Sequence, residues 1–145
     1  MIIRPATLLD LDAILHIEND TFDSPWTRDH FVYELQENPF SFVFIAEEKG
    51  YLVGYVDWWK TFEVGQLNNL AVVNALRGKG IGRTLLIDTL QRMKKAGCQR
   101  SILEVRISNE PAISLYESVG FKKSHLKKQY YENGEDAWAM IKEFK

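Results

Sequence analysis

Arg77-Gly78-Lys79-Gly80-Ile81-Gly82-Arg83 carries the sharpest chemical signal in the chain. Glycines at alternate positions remove Cβ atoms where the backbone turns tightly, so successive N–H groups can converge on one anion at the start of a helix. Arg77, Lys79 and Arg83 add positive charge around that nest, which suits a phosphate or pyrophosphate. The alternative is a sharp strand-to-helix turn without a ligand. A nucleotide P-loop is excluded because no Gly-Lys-Ser/Thr occurs, and the dinucleotide fingerprint Gly-x-Gly-x-x-Gly does not match Gly-x-Gly-x-Gly. Downstream, Glu104 alternates with Ile102 and Arg106 on a short strand. A carboxylate there is solvated and paired with Arg106, or it is used. Tyr116 falls on the apolar stripe of a helix, where its hydroxyl is either bonded in the core or chemically employed.

These residues need a scaffold, and the letters around them supply one. Gln66–Val73 reads as a strand running into the glycine loop. A helix follows from Gly82 with Leu85, Leu86, Leu90 and Met93 as its core face and Gly97 as its stop. Arg100–Arg106 reads as the strand holding Glu104. Asn109 then caps a helix with Pro111 in its first turn, Ala112, Leu115, Tyr116 and Val119 along one face, and Gly120 at its end. Nearer the start, Ile2–Arg4 forms a short strand, and Thr7 caps a helix from about Leu8 to Phe22 with Leu11, Ile14, Leu15 and Ile17 buried. Thr27 opens a second helix bearing Phe31, Val32 and Leu35, which Asn38-Pro39 stops. Phe40–Ala46 and Tyr51–Trp59 pair as a hairpin through a turn at residues 47–50. Near the end, Asn133-Gly134 is the turn of a hairpin between residues 127–132 and 137–141. The expected architecture is mixed α+β or α/β, one sheet punctuated by helices, folded as a single domain over residues 1–145.

Composition narrows the function classes. A 145-residue chain with 46% hydrophobic and 26% charged residues is an ordinary globular domain, outside the disordered and collagen-like ranges. A formal charge of -2 provides no overall field to gather nucleic acid, and no apolar run approaches a membrane span. Cys98 is the one cysteine, so a disulfide, a cysteine-based zinc site and a thiol pair are all excluded within the chain. His16, His30 and His125 are scattered without ligand spacing, so no metal is expected. The start lacks a signal-peptide pattern, and a cytoplasmic location is the default expectation.

At this point the chain resembles a known family. Arg77-Gly78-Lys79-Gly80-Ile81-Gly82 is similar to the Arg/Gln-x-x-Gly-x-Gly/Ala signature of the GNAT superfamily of acetyl-CoA-dependent N-acetyltransferases, and Asn69-Leu70-Ala71-Val72 resembles its central strand. Leu103-Glu104-Val105-Arg106, Ser108-Asn109 and Ala112–Phe121 resemble the RimI-type branch, which acetylates protein N-termini, including that of a small-subunit ribosomal protein. Pro25-Trp26, Tyr130-Tyr131, Gly134–Ala137 and Met140 are supporting matches.

The resemblance implies a GNAT-like fold, a central mixed sheet whose fourth and fifth strands splay apart. Pantetheine would lie in the gap, bonded to the backbone near Leu70, Ala71 and Val72. Pyrophosphate would rest on the N–H groups of residues 77–82, with Arg83 nearby, and Asn109 would touch the pantetheine arm. Glu104 is implied as general base through water. Tyr116 is implied as general acid, since a phenol near pKa 10 stays protonated at neutral pH and can protonate a departing thiolate. Trp26, Tyr130 and Tyr131 are candidates for the acceptor groove, and Asp136 either helps bind the acceptor amine or decorates its turn.

Direct attack through a tetrahedral intermediate is expected. An α-amine with pKa near 8 is roughly one tenth neutral at pH 7, against under a thousandth for lysine, which suits a weak base. The leading reading is acetylation of a protein or peptide N-terminus, a ribosomal protein among the candidates. The alternatives are an acetyltransferase of the same fold acting on lysine, a polyamine or another small amine, and a non-catalytic acyl-CoA-binding module.

Overall fold

Pro5 closes the first strand, β1 (Ile2–Pro5), and Thr7 starts a helical turn. The Thr7 hydroxyl accepts the Leu9 N–H at 3.2 Å, and the Asp10 carboxylate accepts the Thr7 N–H at 2.8 Å. This reciprocal cap tightens residues 8–10 into a 3-10 turn, so the helix expected from Leu8 begins later, as α1 (Leu11–Thr21). Thr27 caps α2 (Arg28–Gln36) through the His30 N–H. The computed structural model describes all 145 residues.

Next come β2 (Ser41–Glu48), β3 (Tyr51–Thr61) and β4 (Val64–Val72), each antiparallel to its predecessor. The turn expected over residues 47–50 shrinks to Lys49-Gly50, because both residues take positive φ (51° and 83°) and so allow a two-residue hairpin turn that matches strand twist. The glycine loop then leads into α3 (Ile81–Lys95), β5 (Arg100–Arg106) and α4 (Glu110–Ser118).

The last hairpin pairs β6 (Lys122–Lys127) with β7 (Ala137–Glu143), and this corrects the sequence expectation, which put a strand over residues 127–132. Pairing ends at Lys127↔Ala137. Beyond it, local bonds hold a loop of residues 128–136. Gln129 N–H donates to Asp136 Oδ1 at 2.8 Å, Tyr131 N–H to the Glu135 carbonyl at 3.1 Å and Gly134 N–H to the Tyr131 carbonyl at 2.9 Å.

One seven-stranded sheet results, in the order β1-β2-β3-β4-β5-β7-β6, antiparallel except between β4 and β5. Against one face pack α1 and α2, with Leu11, Ile14, Ile17 and Phe31 on Val43, Ile45 and Tyr55. Against the other lie α3 and α4, with Leu85, Leu86, Met93 and Ile113 on Val56, Trp58, Leu103 and Met140. Leu85, Leu86 and Met93 are fully buried, each stabilising the fold by about 1.5–3 kcal/mol. The mixed α/β fold, with a central mixed sheet between helices, is therefore as the residues suggested.

Candidate active site

The two parallel strands part company almost at once. β4 and β5 pair only at Val64↔Arg100, Gly65↔Ser101 and Gln66↔Ile102, so beyond those residues no strand lies between the facing edges of Leu67–Val72 and Leu103–Arg106. At the upper end of that gap sits the glycine loop. Gly78 (φ 79°) and Gly80 (φ 86°) are left-handed, Gly80 as the N-cap of α3. The first helical bond into α3 from the loop is Thr84 N–H to the Gly80 carbonyl at 3.0 Å, and no carbonyl of the chain accepts the N–H groups of residues 78–83. Open donors at a helix start beside an unpaired strand edge fit a phosphate-bearing, amide-bearing arm such as that of acetyl-CoA.

Of the loop's cations, Arg77 is already engaged. Its guanidinium donates to the Val72 carbonyl (3.1 Å), Asn74 Oδ1 (3.2 Å) and Thr21 Oγ1 (2.7 Å), fastening the end of β4 to α1. Lys79 and Arg83 make no ion pair within the chain, whereas Gly82 faces Val72 and Leu115. Ile81 packs on the α3 core face.

Below the loop the gap holds a cleft of about 410 Å³. Its lining includes Leu70, Glu104, Asn109, Tyr116, Trp26, Tyr130 and Tyr131, which come from five separate stretches of chain. Glu104 projects from β5 with 12% of its side chain exposed. Lys127 Nζ donates to Glu104 Oε2 at 3.3 Å, and the Tyr130 hydroxyl donates to Oε1 at 3.4 Å. Lys127 reaches this carboxylate from β6 across β7, where the register puts Ala137 and Ala139 between the two strands. Pairing of Glu104 with Arg106, the alternative to a chemical role in the sequence reading, is not found: Arg106 binds Glu135 at 3.0 Å.

Tyr116 enters from α4, whose N-terminus is set by Asn109, its Oδ1 accepting the Ala112 N–H at 3.2 Å. Burial, with Tyr131 nearby, pushes the Tyr116 phenol up to about 12, so it is protonated at neutral pH. Tyr131, half-buried and next to Tyr130, rises likewise to about 12.

Two expected residues stand elsewhere. Asp136 does not line the cleft, because its carboxylate is spent holding the Gln129 N–H at the base of the loop. Ala71 points to the α1 face of the sheet, so its side chain is in the core and its backbone alone borders the gap. Trp26 lines the cleft and stacks on His30 with ring centroids 3.8 Å apart.

Sequence reasoning overlooked Glu18. It lines the cleft yet is 1% exposed, accepting from the Trp26 N–H (2.8 Å), Asn69 Nδ2 (2.9 Å) and the Tyr55 hydroxyl. The signal was present: Glu18 lies seven residues from Leu11 and four from Ile14, on the apolar stripe itself. A larger groove of about 550 Å³ between α3 and the C-terminal residues carries Arg83, Lys94 and Lys142 but neither a phenol nor Glu104. No group of three or more His, Cys, Asp or Glu side chains could hold a metal ion, and no helix is long and apolar enough to cross a membrane.

A sheet opened between two parallel strands, with unpaired amides at a helix start and a cleft lined by Glu104 and Tyr116, leaves room for a long phosphate-bearing ligand. Residues 11–121 match the acetyltransferase (GNAT) family, and the chain belongs to it. It is a GNAT-fold acetyltransferase, moving acetyl from acetyl-CoA to an amine. A Bacillus subtilis (strain 168) protein is 39% identical, the match covering 97% of this chain and 96% of that one. The ribosomal protein bS18-alanine N-acetyltransferase of Escherichia coli (strain K12) is 32% identical over 90% of this chain and 89% of its own. A crystal structure of the Escherichia coli ribosomal-protein-S18-alanine N-acetyltransferase superposes with a TM-score of 0.90 at 30% identity, covering 98% of this chain and 92% of that one.

Proposed function

We propose that the acceptor is the α-amine of a protein or peptide N-terminus, with a ribosomal protein as the first candidate and the cytoplasm as the site of action. The observation that carries this reading is the convergence of Glu104, Tyr116, Tyr130, Tyr131 and Trp26 on one cleft. The bS18-alanine activity named for the Escherichia coli relative supports the same choice.

In this reading Leu70 and Val72 present backbone groups to the pantetheine arm, and the N–H groups of residues 78–83 hold the pyrophosphate. Glu104 takes the acceptor's proton through a water. Tyr116 gives its own to the departing thiolate and is reprotonated from solvent, while Glu104 releases the amine's proton to solvent, so both residues return to their starting states. Tyr130, Tyr131 and Trp26 wall the first residues of the peptide.

Two matched peptides test the acceptor: one with a free N-terminus and no lysine, one N-terminally blocked with an internal lysine. A higher kcat/KM on the first is expected. Higher kcat/KM on the blocked lysine peptide would replace the N-terminal assignment, and turnover of a polyamine alone would move the acceptor to small molecules.

A further inference from the structure

We infer that Arg106 is a positioning residue which, clamped by Glu135, holds the aromatic loop over the acceptor end of the cleft and so sets how tightly the acceptor is bound. The inference rests on the acetyl-transfer reading of the cleft but not on which amine is the acceptor.

Residues 128–136 need such a device. The β6–β7 ladder stops at Lys127↔Ala137, so Tyr130 and Tyr131 lie on a segment that no strand pairing holds. Beside the Ile107 N–H bond to the Asp136 carbonyl at 3.2 Å, Arg106 supplies a side-chain attachment from the far end of β5. Its Nη1 donates to Glu135 Oε1 at 3.0 Å and to Asn133 Oδ1 at 3.1 Å, and its guanidinium carbon sits over the Tyr131 ring, 3.9 Å from the centroid. Tyr131 in turn meets Tyr130 edge-on, with centroids 5.0 Å apart, and the Tyr130 hydroxyl reaches Glu104.

Glu135 completes the clamp on the other side. Its Oε2 accepts the Ser108 N–H at 3.0 Å, one residue before the Asn109 cap of the helix that carries Tyr116. Arg106 and Glu135 therefore join the strand of Glu104, the loop of Tyr130 and Tyr131, and the start of the Tyr116 helix. Both partners are only about one-fifth exposed. Because the Arg106 charge is committed to Glu135, Arg106 is a fastening for the wall of the cleft and not an anion site for either substrate.

The test uses the amine that the wild-type protein acetylates best, whichever it proves to be. A wild-type failure on N-terminal peptides then bears on the acceptor assignment, and the variants bear on the clamp. Arg106→Gln is expected to raise the acceptor KM by about tenfold, with kcat changed less and the acetyl-CoA Kd, measured by calorimetry, within about twofold. Arg106→Lys, which keeps charge but loses the guanidinium contact over the Tyr131 ring, falls between. Arg106→Gln combined with Glu135→Gln is expected to be no worse than Arg106→Gln alone, since both break one unit.

An unchanged acceptor KM in folded Arg106→Gln overturns the proposal. So does a parallel loss of acetyl-CoA affinity and acceptor affinity, which marks general destabilisation, or multiplicative effects in the double variant. If Arg106→Gln does not fold, Glu135→Gln, which keeps an oxygen for Ser108, serves in its place, with the same KM split expected and an unchanged acceptor KM again overturning the clamp.

Discussion

Tyr116 and Glu104 face one cleft with opposite surroundings. The half-buried phenol is pushed up to about 12 by loss of solvent, whereas the carboxylate touches Lys127 and Tyr130. A donor at that value stays protonated through the usual assay range, so Tyr116 adds no alkaline limb to kcat below about pH 11. Tyr116→Phe keeps the ring and removes the proton. Its kcat is expected to fall by about 10²–10⁴-fold with acetyl-CoA affinity unchanged by calorimetry. Near-full kcat, with chemistry rate-limiting, would assign the proton to water. Glu104→Gln keeps shape and loses basicity, so its defect is expected to be large near pH 7 and smaller at pH 9, where the amine supplies its own neutral form. A loss independent of pH would make Glu104 an orienting group.

The glycine loop and the α4 cap act at the scale of elements. Gly80 has φ 86° as the N-cap of α3, and the space around its missing Cβ is open, so backbone conformation and not crowding demands glycine there. Gly80→Val carries a strain of about 1–2 kcal/mol in that region and reorients free N–H donors. Acetyl-CoA binding is expected to weaken by about 1–3 kcal/mol in calorimetry, and an unchanged Kd in a folded variant would remove the loop from the cofactor site. Asn109 serves α4 similarly. Asn109→Ala is expected to cost about 1 kcal/mol of stability in a denaturant titration, through the lost bond to the Ala112 N–H.

Across the whole molecule, buried acids thread the sheet from α2 toward the cleft. Asp57 on β3 is fully buried, accepts from Asn68 Nδ2 at 3.2 Å and leaves Oδ2 without a donor. Burial, and then the neighbouring Glu34, pushes its carboxyl well above the usual carboxylate range. A proton on Oδ2 turns that orphan acceptor into a donor toward Glu34. The folded state then keeps a proton that the unfolded chain loses above about pH 4, so this contribution is complete below that pH and declines as pH rises toward the raised value. Asp57→Asn stays neutral and keeps a donor. Melting temperatures from pH 5 to 9 are expected to slope downward in the wild type and less so in Asp57→Asn. Identical slopes would reject the protonated pair.

How much of this was legible beforehand follows from the range of each force. The strand Arg100–Arg106 and the helix after it were readable because alternation, the Asn109 cap, Pro111 and Gly120 act within a few residues. The glycine loop was equally local. Its family likeness, together with the residues matching Glu104 and Tyr116, belonged to the chain as written. What the letters could not supply was pairing at a distance. Lys127 meets Glu104 only because β7 inserts between β5 and β6 and presents alanines there, and Arg106 meets Glu135 only because the β6–β7 ladder stops short. Glu18 meets Asn69 across 51 residues, and the cofactor gap exists because β4 and β5 pair for just three residues before diverging. By itself the sequence determined most of the elements, though not the place of β6, together with the glycine nest and the types of reacting group, since caps, periodicity and φ preferences are properties of short windows. Which strand edges pair, where they part and which side chains face one another was decided by the tertiary structure, because a sheet closes on edges and register that no short window contains.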